Sequence, residues 1–125
     1  MSLISPLDKL KIPVIGSPLF IISNPDLVIA QCKAGVVGSF PCLNAREGEG
    51  EQNMLNIWLR KINEELDKYN QQNPDSPASP YAVNHIVHKS NVRLEKDIEI
   101  CAKWEDPIWI TSMGARPEVN KVAHK

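Results

Sequence analysis

Apolar residues in this chain follow two alternating periodicities. Short runs rich in β-branched residues predict buried strands, whereas apolar residues spaced three or four positions apart predict amphipathic helices. The predicted strands cover residues 12–15, 36–40, 81–86 and 108–111. The predicted helices begin near Leu27, Leu55, Leu94 and Pro117. The pattern therefore predicts three β/α pairs, a fourth strand and the start of a fourth helix.

Turn residues support this alternation. Asn24 is a typical N-cap residue, and Pro25 suits the first turn of a helix. Gly35 lies where a left-handed residue commonly ends a helix, two or three residues before the next strand. Connections this short are typical of repeated βαβ units. We expect an α/β fold with about four parallel strands and three to four helices, and no domain boundary within residues 1–125.

The length of the chain narrows this prediction. The sequence has 125 residues, whereas a (β/α)8 barrel of the TIM type usually takes about 250. The last predicted helix has barely begun at Lys125. We therefore expect either a small complete domain or the N-terminal half of a TIM-type barrel. A half-barrel leaves a strand edge open, which predicts a possible homo-oligomer.

Composition and charge argue against several classes of partner. The chain has 14 basic and 15 acidic residues, and the formal net charge is -1. This balance favours neither nucleic acid nor a membrane surface as partner. No apolar run approaches the roughly 20 residues of a membrane span, and the N-terminus lacks a secretory signal. The expected location is cytoplasmic. The polar residues 44–51, rich in Gly and Glu, predict a solvated loop.

The cysteines and histidines give no metal-site signature. Cys32, Cys42 and Cys101 are odd in number and far apart, which predicts buried or incidental free thiols and no metal. His85 and His88 lie three positions apart at a strand end, a spacing that does not bring two side chains together. Both are expected to be solvated or structurally bonded.

The carboxyl ends of the predicted strands are the places to look for function, because ligands of parallel α/β folds bind there. The chain has no GxGxxG, P-loop, GxSxG or HExxH motif. Asn84 stands out, because strand alternation puts its amide on a face away from Val83 and His85. It is predicted either to bind a ring with donor and acceptor edges or to satisfy nearby loop backbone.

Four segments, in this order, resemble the N-terminal part of the nitronate monooxygenase family, formerly called 2-nitropropane dioxygenases. They are PVIGSPLF at 13–20, AGVVGSFPCLNAR at 34–46, AVN at 82–84 and ITSMG at 110–114. The resemblance spans nearly the whole chain. It implies a flavoprotein with a TIM barrel that oxidises alkyl nitronates with O2, using FMN bound at the C-terminal mouth of the barrel.

The resemblance also implies roles for individual residues. Pro18 and Leu19 would pass their backbone beside the isoalloxazine ring, and Asn84 matches the family asparagine that hydrogen-bonds the flavin. Leu19 departs from the Met that is frequent there, a change that conserves side-chain volume. Thr111 and Ser112 would line the pocket.

The catalytic histidine and the glycine-rich phosphate loops of that family belong to the second half of the barrel. They are expected beyond Lys125, and His85 and His88 are not substitutes for them. The predicted function is thus that of an FMN-dependent oxidoreductase acting on a small nitronate and O2, with the 125-residue chain inactive alone. Two alternatives remain. One is a non-enzymatic half-barrel that self-associates through its open sheet edge, and the other is a flavodoxin-like domain that binds a phosphorylated ligand.

Overall fold

The structure, a computed structural model, describes residues 5–48 and 52–124. Residues 49–51 of the predicted polar loop, and Lys125, lie outside the described residues. The helices are α1 (Pro25–Lys33), α2 (Met54–Gln72), α3 (Leu94–Lys103) and α4 (Pro117–Ala123), and the strands are β1 (Ser39–Pro41), β2 (Ala82–Ile86) and β3 (Ile108–Ser112). Short 3-10 turns lie at Leu7–Lys9 and Cys42–Asn44.

The three strands form one parallel sheet in the order β1-β2-β3, which confirms the predicted mixed α/β class. Strand β2 lies in the middle, with Val83 opposite Phe40 on one side and Trp109 on the other. Parallel strands in chain order require a crossover helix between each pair, and α2 and α3 supply these crossovers.

The predicted strand at 12–15 forms only in part, so the expectation of about four strands was too high for the described residues. Its single ladder contact is the parallel bridge between Ile15 and Val37. Pro13 has no N–H to donate to a ladder, and Ile12 and Val14 remain 44 % and 46 % exposed. Without burial on one face, the β-branched run has little to stabilise it as a full strand.

All four helices pack on one face of the sheet. Phe40 and Val83 share a core with buried residues of α1, α2 and α3. Trp109 extends this packing to the cluster that joins α3 and α4. The opposite face carries no helix within the described ranges. This arrangement differs from a doubly wound, flavodoxin-like sheet, which has helices on both faces, and it argues against that alternative.

The predicted boundaries of α1 are confirmed. The Asn24 side chain accepts a hydrogen bond from Leu27 N at 3.0 Å, with Pro25 in the first turn. Gly35 has φ 94°, a left-handed conformation that glycine adopts without a steric penalty. A Cβ on Gly38 would lie 2.5 Å from the carbonyl oxygen of Val28, so only glycine lets α1 approach the sheet this closely.

Helix α2 is the longest element and confirms the amphipathic pattern. Asn53 caps it by accepting a hydrogen bond from Leu55 N at 2.9 Å. Its apolar stripe is buried against the sheet and α1 and comprises Leu55, Leu59, Ile62 and Leu66. Among the described residues, no helix combines the length and apolar character needed to cross a bilayer.

Candidate functional site

Strand β2 presents two chemically different faces. Alternation puts Ala82, Asn84 and Ile86 on one face and Val83 and His85 on the other, as the sequence predicted. We call the first the open face, which includes Ser39 of β1 and Ile110 and Ser112 of β3. The second, against which the helices pack, is the helix face. Each carries a polar group that needs explanation.

On the open face, Asn84 is held by β3. Its Nδ2 donates to the carbonyl oxygen of Ile110 at 3.1 Å and to Ser112 Oγ at 3.1 Å. Among the described residues, the Asn84 side chain makes hydrogen bonds only through Nδ2. Its Oδ1 is therefore able to accept a hydrogen bond from a ligand. Asn84 therefore has a structural role, but its partners are on strand β3 rather than in the loop backbone that was predicted, and it uses only half of the amide. The predicted site residues Asn84 and Ser112 are in contact.

The loop that contains Pro18 and Leu19 lies at the carboxyl edge of the same sheet, because Asn44 fastens it to the end of β1. Asn44 Nδ2 donates to the carbonyl oxygens of Leu19 at 2.9 Å and Ser23 at 2.8 Å, and its Oδ1 accepts from Ile21 N at 3.1 Å. Sequence reasoning gave Asn44 no role. The available signal was an Asn in the turn that follows β1, a residue type that hydrogen-bonds loop backbone.

Apolar side chains are exposed along this edge. Phe20, Ile21 and Ile22 are 71 %, 76 % and 62 % exposed, and Met113, after β3, is 66 % exposed. Ile21 and Met113 also have positive φ values of 68° and 64°. A β-branched residue in this region is a genuine outlier, and such strain concentrates at ligand sites. The carboxyl edge therefore combines an apolar surface with strained loop backbone.

Thr111 is not part of this group. Alternation along β3 turns its side chain away from the open face, where Ser112 lies. Thr111 instead borders a separate cavity of about 450 Å³ together with Trp109 and Asn120. A role for the Thr111 side chain beside Asn84 is therefore not supported by its position, and any part it plays in a pocket depends on its backbone.

The helix face of β2 carries a buried cluster that the sequence did not reveal. Cys42 Sγ lies 3.6 Å from His85 Nδ1 and 3.9 Å from Cys101 Sγ. One ligand atom from each of the three side chains lies within 4.8 Å of the others, and all three residues are buried. Cys42 follows β1, His85 lies on β2 and Cys101 lies on α3. We call these three residues the Cys2His cluster.

The cluster shifts the acidity of its own members. The hydrogen bond with Cys101 lowers the pKa of Cys42, and the contact with His85 lowers it further against the effect of burial. Burial acts to lower the pKa of His85, but the contact with Cys42 and the nearby carboxylates raise it overall. The pKa of Cys101 is raised by the hydrogen bond with Cys42 and by burial. The contact between the two thiols thus lowers the pKa of Cys42 and raises that of Cys101.

A buried carboxyl group adjoins the cluster. Asp106 Oδ1 accepts a hydrogen bond from Tyr81 Oη at 2.5 Å, and Asn63 Nδ2 donates to the same hydroxyl at 3.1 Å. Burial raises the pKa of Asp106 to about 6, although hydrogen bonds from Tyr81 and Cys101 oppose this. Asp106 Oδ2 and His85 Nε2 are both buried without a partner among the described residues. Leaving a buried polar atom unpaired costs about 1–3 kcal/mol.

An ion pair fixes the backbone beside Cys42. Arg93 Nη2 lies 3.1 Å from Asp97 Oδ1 and donates to the carbonyl oxygen of Cys42 at 3.4 Å. Both side chains are largely buried, at 11 % and 2 % exposure. Removing either partner would leave an uncompensated buried charge, so the two side chains stay together. Here the pair holds the turn that presents the Cys42 thiol.

The predictions for the burial and bonding of the cysteines and histidines are confirmed. Cys32, Cys42 and Cys101 are free and buried, as predicted. His88 is exposed and contacts Ser90 Oγ at 2.9 Å, so it does not join His85. His85 is not solvated but buried and bonded to Cys42. The cluster was invisible in the sequence because its members lie 43 and 59 residues from Cys42.

The open face and the carboxyl-edge loops thus form a candidate ligand surface, and the helix face holds a separate cluster of possible metal ligands. No protein-family model and no curated protein matches this chain.

Proposed function

We propose that this chain forms one wall of the flavin pocket in an FMN-dependent oxidoreductase of the nitronate monooxygenase type. The observation that carries the proposal is the position of Asn84. Its amide lies on the face of the sheet that the helices leave uncovered, near the carboxyl edge, with Nδ2 held and Oδ1 available. In (β/α)8 barrels that face lines the interior, and the carboxyl edge forms the active-site mouth.

The residues present fit a flavin in two respects. The isoalloxazine ring presents N–H and carbonyl groups along one edge, and Asn84 Oδ1 is able to accept from such an N–H. The exposed apolar residues Leu19, Phe20 and Met113 at the same edge suit the large apolar body of the ring. The parallel strands in chain order, with all helices on one face, are the arrangement of the first part of a barrel.

When bound, the flavin supplies the electron transfer between a nitronate and O2. The residues of this chain have other tasks. Asn84 would orient one edge of the ring, Ser112 and the Ile110 carbonyl would hold that amide in place, and the loop fastened by Asn44 would shield the ring from water. No residue of this chain is assigned as catalytic base or as the phosphate grip.

This division of tasks predicts weak binding by the chain alone. In barrels the phosphate is commonly held by the loops after strands 7 and 8. The 125-residue chain should therefore bind the ring weakly, gain little from the FMN phosphate and turn over no nitronate. The parent protein, which we propose to be cytoplasmic, would bind the FMN phosphate and turn over the nitronate.

Nuclear magnetic resonance of the labelled chain tests the proposal. We expect riboflavin and FMN to bind with Kd values within about threefold of each other and to shift the Asn84 side-chain amide and residues 18–22 and 112–114. Asn84→Ala should weaken binding at least tenfold, equivalent to about 1.4 kcal/mol. Asn63→Ala is the matched control, because Asn63 also makes two hydrogen bonds through Nδ2 but lies in the helix layer.

Two outcomes contradict the proposal. One is shifts confined to the helix layer, and the other is equal weakening by Asn84→Ala and Asn63→Ala. Stoichiometric retention of FMN by the purified chain would contradict the predicted absence of a phosphate grip.

A half-barrel module that self-associates is the second candidate, and the uncovered sheet supports it. Strand β3 pairs only with β2 among the described residues, so its other edge is free to pair with another copy. Sedimentation equilibrium separates the two candidates in part. A tight dimer in which the backbone of β3 becomes protected from solvent favours the module, whereas a monomer that binds riboflavin favours the flavoenzyme.

A further inference from the structure

The Cys2His cluster has the donor set of a metal site. Two thiols and one imidazole converge from three different elements, and their positions do not depend on the flavin proposal. Thiolate and imidazole ligands together select thiophilic ions, chiefly zinc among the common divalent cations. All three side chains are buried, so a bound ion would be shielded from competing ligands.

The distances within the cluster match tetrahedral coordination. With Zn–S bonds of about 2.3 Å and Zn–N bonds of about 2.0–2.1 Å, tetrahedral angles separate two sulfurs by about 3.8 Å and a sulfur from a nitrogen by about 3.6 Å. Cys42 Sγ lies 3.9 Å from Cys101 Sγ and 3.6 Å from His85 Nδ1. The remaining pair, His85 and Cys101, lies within 4.8 Å, so the two side chains need to approach each other only slightly to share a cation.

Asp106 adjoins the cluster but is not one of the three residues whose ligand atoms converge within 4.8 Å. Its Oδ2 is buried and has no partner among the described residues. Its other oxygen is held by Tyr81 at 2.5 Å, and Asn63 holds Tyr81 in turn. Carboxylates beside metal sites commonly orient the ligands by hydrogen bonds, and Asp106 is suited to that outer role.

Charge and access also fit a divalent cation. Two thiolates and one neutral imidazole balance the charge of Zn2+, so the buried group gains no uncompensated charge from these three ligands. Binding releases the two thiol protons to solvent. A cavity of about 660 Å³ between α3 and α4 is lined by Cys101 and Asp106 and provides a route for the ion.

We propose that Cys42, His85 and Cys101 bind a tetrahedral zinc ion on the helix face of the sheet, with an oxygen ligand in the fourth position. The ion joins the turn after β1, strand β2 and helix α3. It therefore ties the first crossover unit to the next.

Cobalt substitution tests the site directly. The reduced, chelator-treated chain is titrated with CoCl2 under argon. We expect one equivalent to bind, with the intense visible bands of tetrahedral Co2+ and a thiolate-to-cobalt charge-transfer band, and one equivalent of ZnCl2 to abolish both. Weak bands typical of octahedral Co2+, or no saturable binding, would overturn the proposal.

Variants identify the ligands. Cys42→Ser and Cys101→Ser should each reduce the charge-transfer band by about half and weaken Co2+ binding at least tenfold. Cys32→Ser is the matched control, because Cys32 is also a buried free thiol but its Sγ contacts the carbonyl oxygen of Pro80 at 3.6 Å. A spectrum unchanged by Cys42→Ser, or lost in Cys32→Ser, would contradict the assignment.

Zinc X-ray absorption of the unsubstituted chain does not depend on the folding of any variant. The proposal expects two sulfur neighbours at about 2.3 Å and two nitrogen or oxygen neighbours at about 2.0–2.1 Å. A shell of only nitrogen and oxygen would overturn it. A Cys42–Cys101 disulfide in the protein as isolated, persisting when zinc is present during expression, would overturn it as well.

Discussion

Each face of β2 carries a polar side chain on the central strand of the sheet, and the two side chains have different surroundings. Asn84 on the open face is held by β3 through Nδ2 and keeps Oδ1 available. His85, the next residue, is enclosed by Cys42, Cys101 and Trp109, with its ring 4.7 Å from that of Trp109. The first arrangement leaves a hydrogen-bond acceptor for the flavin ring that we propose outside the chain. The second brings together side chains for the buried zinc ion that we propose.

This contrast shows that burial alone does not identify function. Asn84 and His85 are 6 % and 1 % exposed, nearly the same. What differs is the layer that covers each of them. Helices close the helix face, whereas no described helix covers the open face. A ligand or another copy of the chain is therefore expected on one side only.

The largest expected effect is from His85→Ala with metal removed. We expect the free energy of unfolding to fall by about 3 kcal/mol, because the truncation leaves a cavity between Trp109 and the two thiols. Urea unfolding with a chelator present measures this loss. A loss below about 1 kcal/mol would mean that the helix face is as loosely packed there as the open face.

Zinc addition tests the helix face through the free energy of unfolding. At a free concentration 100 times the Kd, a ligand that binds only the folded state raises the free energy of unfolding by about 2.7 kcal/mol. We expect this gain for the unsubstituted chain and for Asn84→Ala, but not for Cys101→Ser. Mg2+ serves as the control ion, because it prefers oxygen ligands. An equal gain with Mg2+ would contradict a thiolate site.

Asn84→Ala should cost less than His85→Ala. It removes two hydrogen bonds of 3.1 Å but a smaller side chain than His85→Ala does. We expect a loss of about 1 kcal/mol in the free energy of unfolding. The same urea experiment measures it. A loss as large as that of His85→Ala would show that Asn84 is primarily structural and would weaken its assignment to a ligand.

The smallest expected effect is at the strained loop. Ile21 has φ 68° and is 76 % exposed, so Ile21→Gly relieves strain and loses little burial. The relief, about 1–2 kcal/mol, exceeds the entropy cost of glycine and leaves a net gain of about 0.5 kcal/mol. Ile21→Val is the control, because it keeps the β-branch and should give no gain. Precise thermal unfolding measures both, and a gain from valine would contradict a strained backbone.

Local sequence signals predicted most of the fold. Asn24, Pro25 and Gly35 mark the ends of α1 where the structure has them, and the apolar spacing of Leu55 to Leu66 locates the buried stripe of α2. Alternation along 82–86 correctly separated Asn84 from His85. The strand at 12–15 was overestimated, because β-branched composition predicts a strand only where a face becomes buried.

The candidate sites were predicted unequally. Asn84 and Ser112 lie close together, because position along a parallel strand already implies position in the sheet, and their role in binding a ligand stays a prediction. Asn44 and the Cys2His cluster were missed, because their significance depends on residues far away along the chain. Thr111 was included although its side chain leaves the open face.

The amino-acid sequence by itself determined the alternation of strands and helices, the helix caps and the two faces of β2. These follow from backbone geometry and side-chain periodicity over a few residues. Only the tertiary structure decided which face the helices cover and that Cys42, His85 and Cys101 meet beneath it. The physical reason is that packing joins residues 43 and 59 positions apart, a choice that depends on how whole elements fit together.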